Sequence, residues 1–297
     1  MKERLTYLAF SLGWTFFKFI PEGFGRSLLG LVAKKIYTAN KKSVQQLRAN
    51  LKQVTGAKGE ALEDMVNLGV ISYLKYWYEA FVITNWTKQK INKTFIMTNE
   101  EVLNKYLSQE KHIVLALSHL GNWDAAGAWF TTNHRPLTAV AEKLKPVKLY
   151  EKFIKFRAAL GIEVLPLERG SDTFNQLLDR IKNGRVIALL ADRDISQSGI
   201  KVKFFNLETS MPPGPAALAW ATDGIVIPIE IYNGTKNQIF AKTGEALRID
   251  KSLPKEEAIK ELTQKLASRF EAMISDHPTD WHVMQRVWHE VKPSEAG

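Results

Sequence analysis

The chain has 297 residues and no cysteine, and its 41 Lys plus Arg against 31 Asp plus Glu give a formal net charge of +10. The missing cysteines exclude a disulfide framework and a thiolate zinc site, and they fit a reducing compartment. The positive charge favours anionic partners such as phospholipid headgroups. The basic residues are scattered, and the sequence has no pattern of a nucleic-acid-binding module, so a membrane surface is the favoured partner and nucleic acid is not.

Two apolar stretches near the N-terminus favour contact with a membrane. Residues 5–20 are apolar and aromatic, and residues 27–37 are apolar and end among lysines. The first stretch is shorter than the roughly 20 residues that a helix needs to cross a bilayer. Aromatic rings beside lysines are typical of interfacial helices, so we expect residues 1–40 to form amphipathic helices that associate with the membrane. The alternative is that these helices only cap the fold, with their apolar faces buried in protein.

The middle of the chain predicts helices and then an alternation of strands and helices. Apolar residues at helical spacing predict helices over residues 43–54 and 60–84, and Asn99 is placed to cap another. Strands are predicted at residues 113–117, 137–141, 162–165 and 186–191, with helices at 123–130, 147–160 and 172–183. This alternation indicates an α/β fold, with a central, mostly parallel sheet flanked by helices on both faces, in one domain over residues 1–297.

The last third of the chain predicts further strands and a closing helix. Strands are expected at residues 200–205, 225–231 and 238–249, and helices at 216–222 and 255–275. We expect residues 293–297 to form a loose tail.

Polar clusters follow four of the predicted strands. These clusters are His119, Glu142, residues 166–169 and residues 192–194. Because ligands of open parallel sheets bind at the carboxyl ends of the strands, we expect the four clusters to share one rim of the sheet.

His119 lies in a turn between a strand and a helix, and Asp124 follows it by five residues. On one continuous helix the two side chains would diverge by roughly 140°, whereas a turn that feeds a helix lets them meet. Asp124 would then accept a proton from one imidazole nitrogen and leave the other basic, and the substrate would supply the nucleophile. The alternative is a structural histidine in a turn. A metal site is not expected, since no second histidine stands at ligand spacing from His119.

The segment HLGNWD, from His119 to Asp124, resembles the His-x4-Asp block of glycerolipid acyltransferases in the form used by the lipid A late acyltransferase superfamily. Within it, the chain is similar to the actinobacterial branch that acylates phosphatidylinositol mannosides. The likeness runs from about Tyr7 to Trp288. Further blocks match in the family's order: EKLKP at 142–146, LPL at 165–167, ADRD at 191–194 and MPPGPA at 211–216.

The resemblance implies a peripheral, monomeric enzyme on the inner face of the cell membrane that transfers a fatty acyl group without a cofactor. His119 would be the general base and Asp124 its orienting acid. Acyl-CoA would be the donor substrate, and the acceptor would be a hydroxyl of a mannosylated phosphatidylinositol glycolipid. One alternative is a lipid A type enzyme that uses acyl carrier protein and a Kdo-lipid acceptor. A second is a non-catalytic membrane-binding module.

The matched blocks also imply a set of substrate-binding residues on the same rim. For Glu142 and Arg157 the alternative is a surface ion pair. For the two acids of the ADRD block the alternative is a structural network around Arg193. A basic side chain near Arg169 or Arg193 is a candidate donor to the oxyanion. The full set is Asn122, Glu142, Lys143, Arg157, Arg169, Asp192, Arg193 and Asp194.

Overall fold

A computed structural model describes residues 2–17, 19–20, 22–143, 145–167, 172–195 and 198–293. In these residues the strands are β1 (Phe95–Met97), β2 (Ile113–Leu117), β3 (Leu137–Glu142), β4 (Ile162–Leu167), β5 (Val186–Leu190), β6 (Ile200–Phe204), β7 (Leu207–Met211), β8 (Ile225–Asn233), β9 (Ile239–Thr243) and β10 (Leu247–Arg248). The α-helices are α1 (Lys2–Phe16), α2 (Glu22–Ala39), α3 (Lys42–Thr55), α4 (Gly59–Val82), α5 (Lys88–Thr94), α6 (Glu100–Gln109), α7 (Trp123–Asn133), α8 (Val147–Ala159), α9 (Thr173–Lys182), α10 (Gly214–Thr222) and α11 (Lys255–Asp276).

The main sheet has the strand order β1-β9-β8-β2-β5-β3-β4. Strands β8, β2, β5, β3 and β4 are parallel to one another, whereas β9 runs antiparallel to β8 and parallel to β1. The short β10 pairs antiparallel with β8, and β6 and β7 form a separate hairpin. The predicted α/β fold with a mostly parallel sheet is therefore confirmed.

Both faces of the sheet are buried, as the apolar run of β2 predicted. Val114 and Ala116 belong to a core that includes residues of α9, α10 and α11. Leu115 and Leu117 belong to a second core, on the other face, with residues of α6, α7 and α8. Because alternate residues of a strand point to opposite faces, helices cover both sides of the sheet.

Several details differ from the sequence-based expectation. Residues 238–249 form two strands because the chain turns at Gly244, whose amide donates to Pro228 O at 2.8 Å. The sequence did not predict β1, which is too short to give a periodic signal, or β7, which is too polar to give one. Asn99 precedes α6, but its side chain does not cap the helix, because it bonds to both backbone groups of Thr243.

The N-terminal helices have one face on the protein and another in solvent. In α1, Phe10 lies 4.8 Å from Trp77 between ring centroids, and Trp14 lies 5.1 Å from Phe153. On the opposite side of α1, Leu8, Leu12 and Phe16 are exposed. Among the described residues, no helix has both the length and the hydropathy that a bilayer crossing requires.

Candidate active site

The turn that carries His119 has the predicted strand, turn and helix geometry. Gly121 has a φ of 63°, and a Cβ atom there would lie 2.5 Å from Ile231 O. Only glycine fits this close approach in the left-handed region. The Asn122 side chain then accepts a hydrogen bond from Ala125 N at 2.9 Å and caps α7. These two residues fix where the strand ends and the helix begins.

The acid that pairs with His119 is Asp192, just after β5. The distance from His119 Nδ1 to Asp192 Oδ1 is 2.6 Å, and Asp192 Oδ2 accepts from His119 N and Trp281 Nε1, both at 2.9 Å. Burial opposes ionisation of Asp192, but the charge of His119 and these donors outweigh it, so the pKa of Asp192 is lowered. An ionised Asp192 keeps the proton of His119 on Nδ1. Nε2 is then the free basic atom, with no hydrogen bond to a described residue.

The expected contact between His119 and Asp124 is wrong. Asp124 Oδ1 accepts from Arg157 Nε at 2.7 Å, and Asp124 Oδ2 accepts from Tyr76 Oη at 2.8 Å. Burial alone lowers the pKa of Arg157, but the Asp124 carboxylate outweighs it and raises that pKa. Burial, with the same carboxylate, raises the pKa of Tyr76. Asp124 is thus held by α4 and α8, because a buried carboxylate in the first turn of α7 needs the nearest cation.

The other expected site residues are divided between the interior and the surface. Asn122 Nδ2 donates to the fully buried Glu79 at 2.8 Å. Arg157 pairs with Asp124 and does not pair with Glu142, which is exposed. Lys143 is also exposed, and Arg169 lies outside the described residues.

The last two residues of the ADRD block differ in their contacts. Asp194 accepts a hydrogen bond from Gly199 N at 2.7 Å. Arg193 is half-buried beside Asp192, and in the described part of the chain it has neither a hydrogen bond nor an ion pair. Of the predicted cations on this rim, Arg193 is therefore available to a substrate.

The C-terminal segment 280–282 holds the turn, and sequence reasoning missed it. His282 N donates to His119 O at 2.7 Å, and Gly121 N donates to Asp280 O at 2.9 Å. The chain thus forms an antiparallel bridge across the turn that carries His119. The sequence signal for this segment is its aromatic and charged composition, TDWH at residues 279–282. No local pattern indicates which turn such a segment contacts.

His282 of this segment and the buried Ser72 of α4 resemble a base and its nucleophile. Ser72 Oγ donates to Asp280 Oδ1 at 2.6 Å, so the proton of Ser72 is not directed at His282. His282 Nε2, 2.8 Å from Ser72 Oγ, must then be the donor, and Asn233 Nδ2 donates to the same oxygen at 2.9 Å. Ser72 is therefore a structural hydrogen-bond centre and not a nucleophile.

The buried His282 gives the fold an acid sensitivity. Burial lowers the pKa of His282 to about 4, and its Nδ1 has no partner among the described residues. Because this pKa is below the unfolded value of about 6.5, the unfolded chain binds more protons between these pH values. We expect His282 to contribute about 3 kcal/mol of stability above pH 6.5 that is lost as the pH falls to 4. Urea unfolding across this range should show a steeper loss for the unaltered chain than for His282→Gln, which keeps a donor to Ser72. Equal slopes would contradict the assignment.

An apolar cavity lies between the sheet and α7, next to His119. Trp123 lines it and packs edge-on against the His119 ring, with 5.4 Å between centroids. Asp124 and Arg157 also border the cavity. The rest of its lining is largely apolar and includes Leu115, Leu117, Ala126, Trp129, Phe130 and Leu190.

Comparisons with known proteins agree over nearly the whole chain. A family model described as bacterial lipid A biosynthesis acyltransferase matches residues 2–290. A phosphatidylinositol mannoside acyltransferase of Mycolicibacterium smegmatis is 35% identical over 288 residues, which are 96% of this chain and 92% of that protein. A protein of the same name from Mycobacterium tuberculosis is 35% identical over 285 residues, which are 94% of this chain and 87% of that protein.

Proposed function

The chain belongs to the bacterial lipid A biosynthesis acyltransferase family, and from this premise we propose that it transfers a fatty acyl group from acyl-CoA to a hydroxyl of a mannosylated phosphatidylinositol glycolipid. Acyltransferase activity follows from the family, and the names of the relatives support the acceptor. The observation that carries the mechanism is the His119 to Asp192 pair beside an apolar cavity.

His119 acts as the general base in this proposal. Its Nε2 takes the proton of the acceptor hydroxyl while that oxygen attacks the thioester carbonyl. The tetrahedral intermediate then expels the thiolate, which takes the proton from the imidazolium. Asp192 holds the ring and stabilises the imidazolium, the role that the sequence assigned to Asp124. The acyl group passes directly to the acceptor, so no covalent enzyme intermediate is needed.

The apolar cavity receives part of the fatty acyl chain in this mechanism. An acyl tail inside it contacts apolar side chains of β2 and α7, and each buried methylene contributes about 0.8 kcal/mol. Trp123 lines the cavity and contacts the His119 ring, and we propose that an acyl tail in the cavity brings the thioester carbon to this ring. Arg193 supplies a cation for the oxyanion or for an acceptor hydroxyl.

We further propose that residues 1–297 act as one acyltransferase domain, monomeric and peripheral on the inner face of the cell membrane. The exposed apolar side of α1 supports contact between residues 1–40 and an anionic surface. Glu142 and Lys143, exposed at the end of β3, remain candidates for contact with the acceptor.

The test offers purified chain both acceptors, a mannosylated phosphatidylinositol and a Kdo-lipid, each with acyl-CoA and with acyl carrier protein. We expect an acylated mannoside from acyl-CoA, and a loss of at least about 10³-fold for His119→Ala. Product on the Kdo-lipid alone would favour a lipid A type enzyme. Absence of any turnover, with vesicle binding unchanged in His119→Ala, would favour a membrane-binding module.

Filling the cavity should change the preferred acyl chain. Ala188 lies on central strand β5 and lines the cavity, where Leu would add three carbon atoms. We expect Ala188→Leu to shift the best donor by about three methylenes towards shorter chains, since each displaced methylene loses its burial. Measured values of kcat/KM over a series of acyl-CoA lengths test this. Ala61→Leu, at an exposed position of α4, is the control that should keep the original preference.

A further inference from the structure

A second groove lies on the surface between α1, the end of α4 and α8. In the part of the chain that the structure describes, it shares no lining residue with the apolar cavity next to His119. Trp14, Phe81 and Phe156 give the groove an aromatic wall, whereas Thr84 and Asn85 add polar groups. The groove therefore suits a ligand with both an apolar and a polar part.

Two lysines of α8 give the groove its charge. Lys152 Nζ lies 5.3 Å from the centroid of the Trp14 ring, and Lys155 is exposed. Neither lysine has an ion pair within the described residues, and no carboxylate lines the groove. The cation–π contact orients Lys152 without neutralising it. The polar part of the ligand is therefore expected to be an anion.

The exposed apolar side of α1 is continuous with this groove. Leu8, Leu12 and Phe16 follow one another at intervals of four residues, so they form one stripe, and they are 52%, 66% and 52% exposed. Phe19, which is 79% exposed, follows the end of α1 by three residues and lines the groove. Exposed apolar stripes beside cations are typical of a surface that enters the headgroup and acyl boundary of a bilayer.

We propose that this groove binds the phosphate of an anionic bilayer phospholipid between Lys152 and Lys155, while Phe16 and Phe19 enter the acyl region. The inference rests on the proposed function, in which the acceptor is embedded in the membrane. It places the anion contact on α8, outside residues 1–40. Since Arg157 of the same helix borders the active-site cavity, lipid binding holds that cavity near the bilayer surface.

Vesicle flotation of the full chain tests the groove. Vesicles of phosphatidylcholine, with and without phosphatidylglycerol, are compared at about 0.1 M salt. Each lysine at an anionic surface strengthens binding about fivefold, so Lys152→Gln with Lys155→Gln should weaken binding to the anionic vesicles about 25-fold. Lys255→Gln with Lys260→Gln removes the same charge from exposed positions of α11, across the sheet, and should have less than about a twofold effect.

Further measurements test the apolar contact, the identity of the anion and the proposed function one at a time. Phe16→Ser with Phe19→Ser should weaken binding to both kinds of vesicle. Equal losses of vesicle binding in the two double-lysine variants would overturn the inference. They would show that the anionic vesicles attract the positive charge of the protein in general and not these two lysines. Release of the chain from vesicles by free CoA would also overturn it, since the groove would then hold the donor. Acyl transfer to a detergent-solubilised acceptor should stay unchanged in the Lys152 and Lys155 variant. Absence of acyl transfer in the unaltered chain would refute the proposed function. Vesicle flotation would still show whether the groove binds the phospholipid.

Discussion

Asp192→Asn is expected to lower kcat for acyl transfer by about 10⁴-fold, the size of effect known for the acid of a catalytic triad. The reason is that the two carboxylate oxygens of Asp192 accept hydrogen bonds from different donors. Asp192 Oδ2 accepts from two fixed N–H groups, those of His119 N and Trp281 Nε1. The single oxygen of asparagine must occupy that position. The amide group then faces His119 Nδ1, so the imidazole proton moves to Nε2 and the base is lost.

Steady-state kinetics with acyl-CoA and the glycolipid measure this effect. Asp223→Asn is a matched control, because it removes one carboxylate at an exposed position where the backbone has a φ of 54° that asparagine also adopts. Circular dichroism should show the fold intact in both variants. Turnover within tenfold of the unaltered rate for Asp192→Asn would rule out the orienting role of Asp192.

The local part of the site could be predicted from the sequence. The apolar run of residues 113–117 and the turn at His119 that feeds a helix are local signals, and the structure has both. The rule that ligands of parallel sheets bind at the carboxyl ends of the strands also predicted that residues 192–194 lie on the same rim as His119. What the rule does not give is the order of the strands.

The identity of the paired acid depends on that order. Strand β5 lies next to β2, although β3 and β4 come between them in the chain. This adjacency lets Asp192, 73 residues away, reach His119. Asp124 was the nearer candidate in sequence, but the choice between two acids depended on where Arg157 lies. Side chains from α4 and segment 280–282 were missed for the same reason, since their contacts are set only by tertiary packing.

Arg157→Met is expected to lower the free energy of unfolding by about 3–5 kcal/mol, because it leaves Asp124 buried without its cation. The Asp124 side chain is 2% exposed, and its other partner, Tyr76, is a neutral donor. Urea unfolding at pH 7 measures the loss. Adding Asp124→Asn should recover most of it, since the amide oxygen still accepts from Tyr76 and no charge remains buried. A loss below about 1 kcal/mol in the single variant would show that the pair is solvated in solution.

The same variants distinguish Asp124 from Asp192 by whether each substitution changes stability or turnover. If Asp124 oriented His119, Asp124→Asn would reduce turnover as severely as Asp192→Asn and leave stability nearly unchanged. The structure predicts the opposite division. Asp192 should affect kcat with little change in unfolding, whereas Asp124 and Arg157 should affect unfolding first, and turnover only as far as they shape the cavity beside His119. A double-mutant cycle on Asp124 and Arg157 should therefore give a large coupling in stability, and a cycle on Asp124 and Asp192 should give almost none.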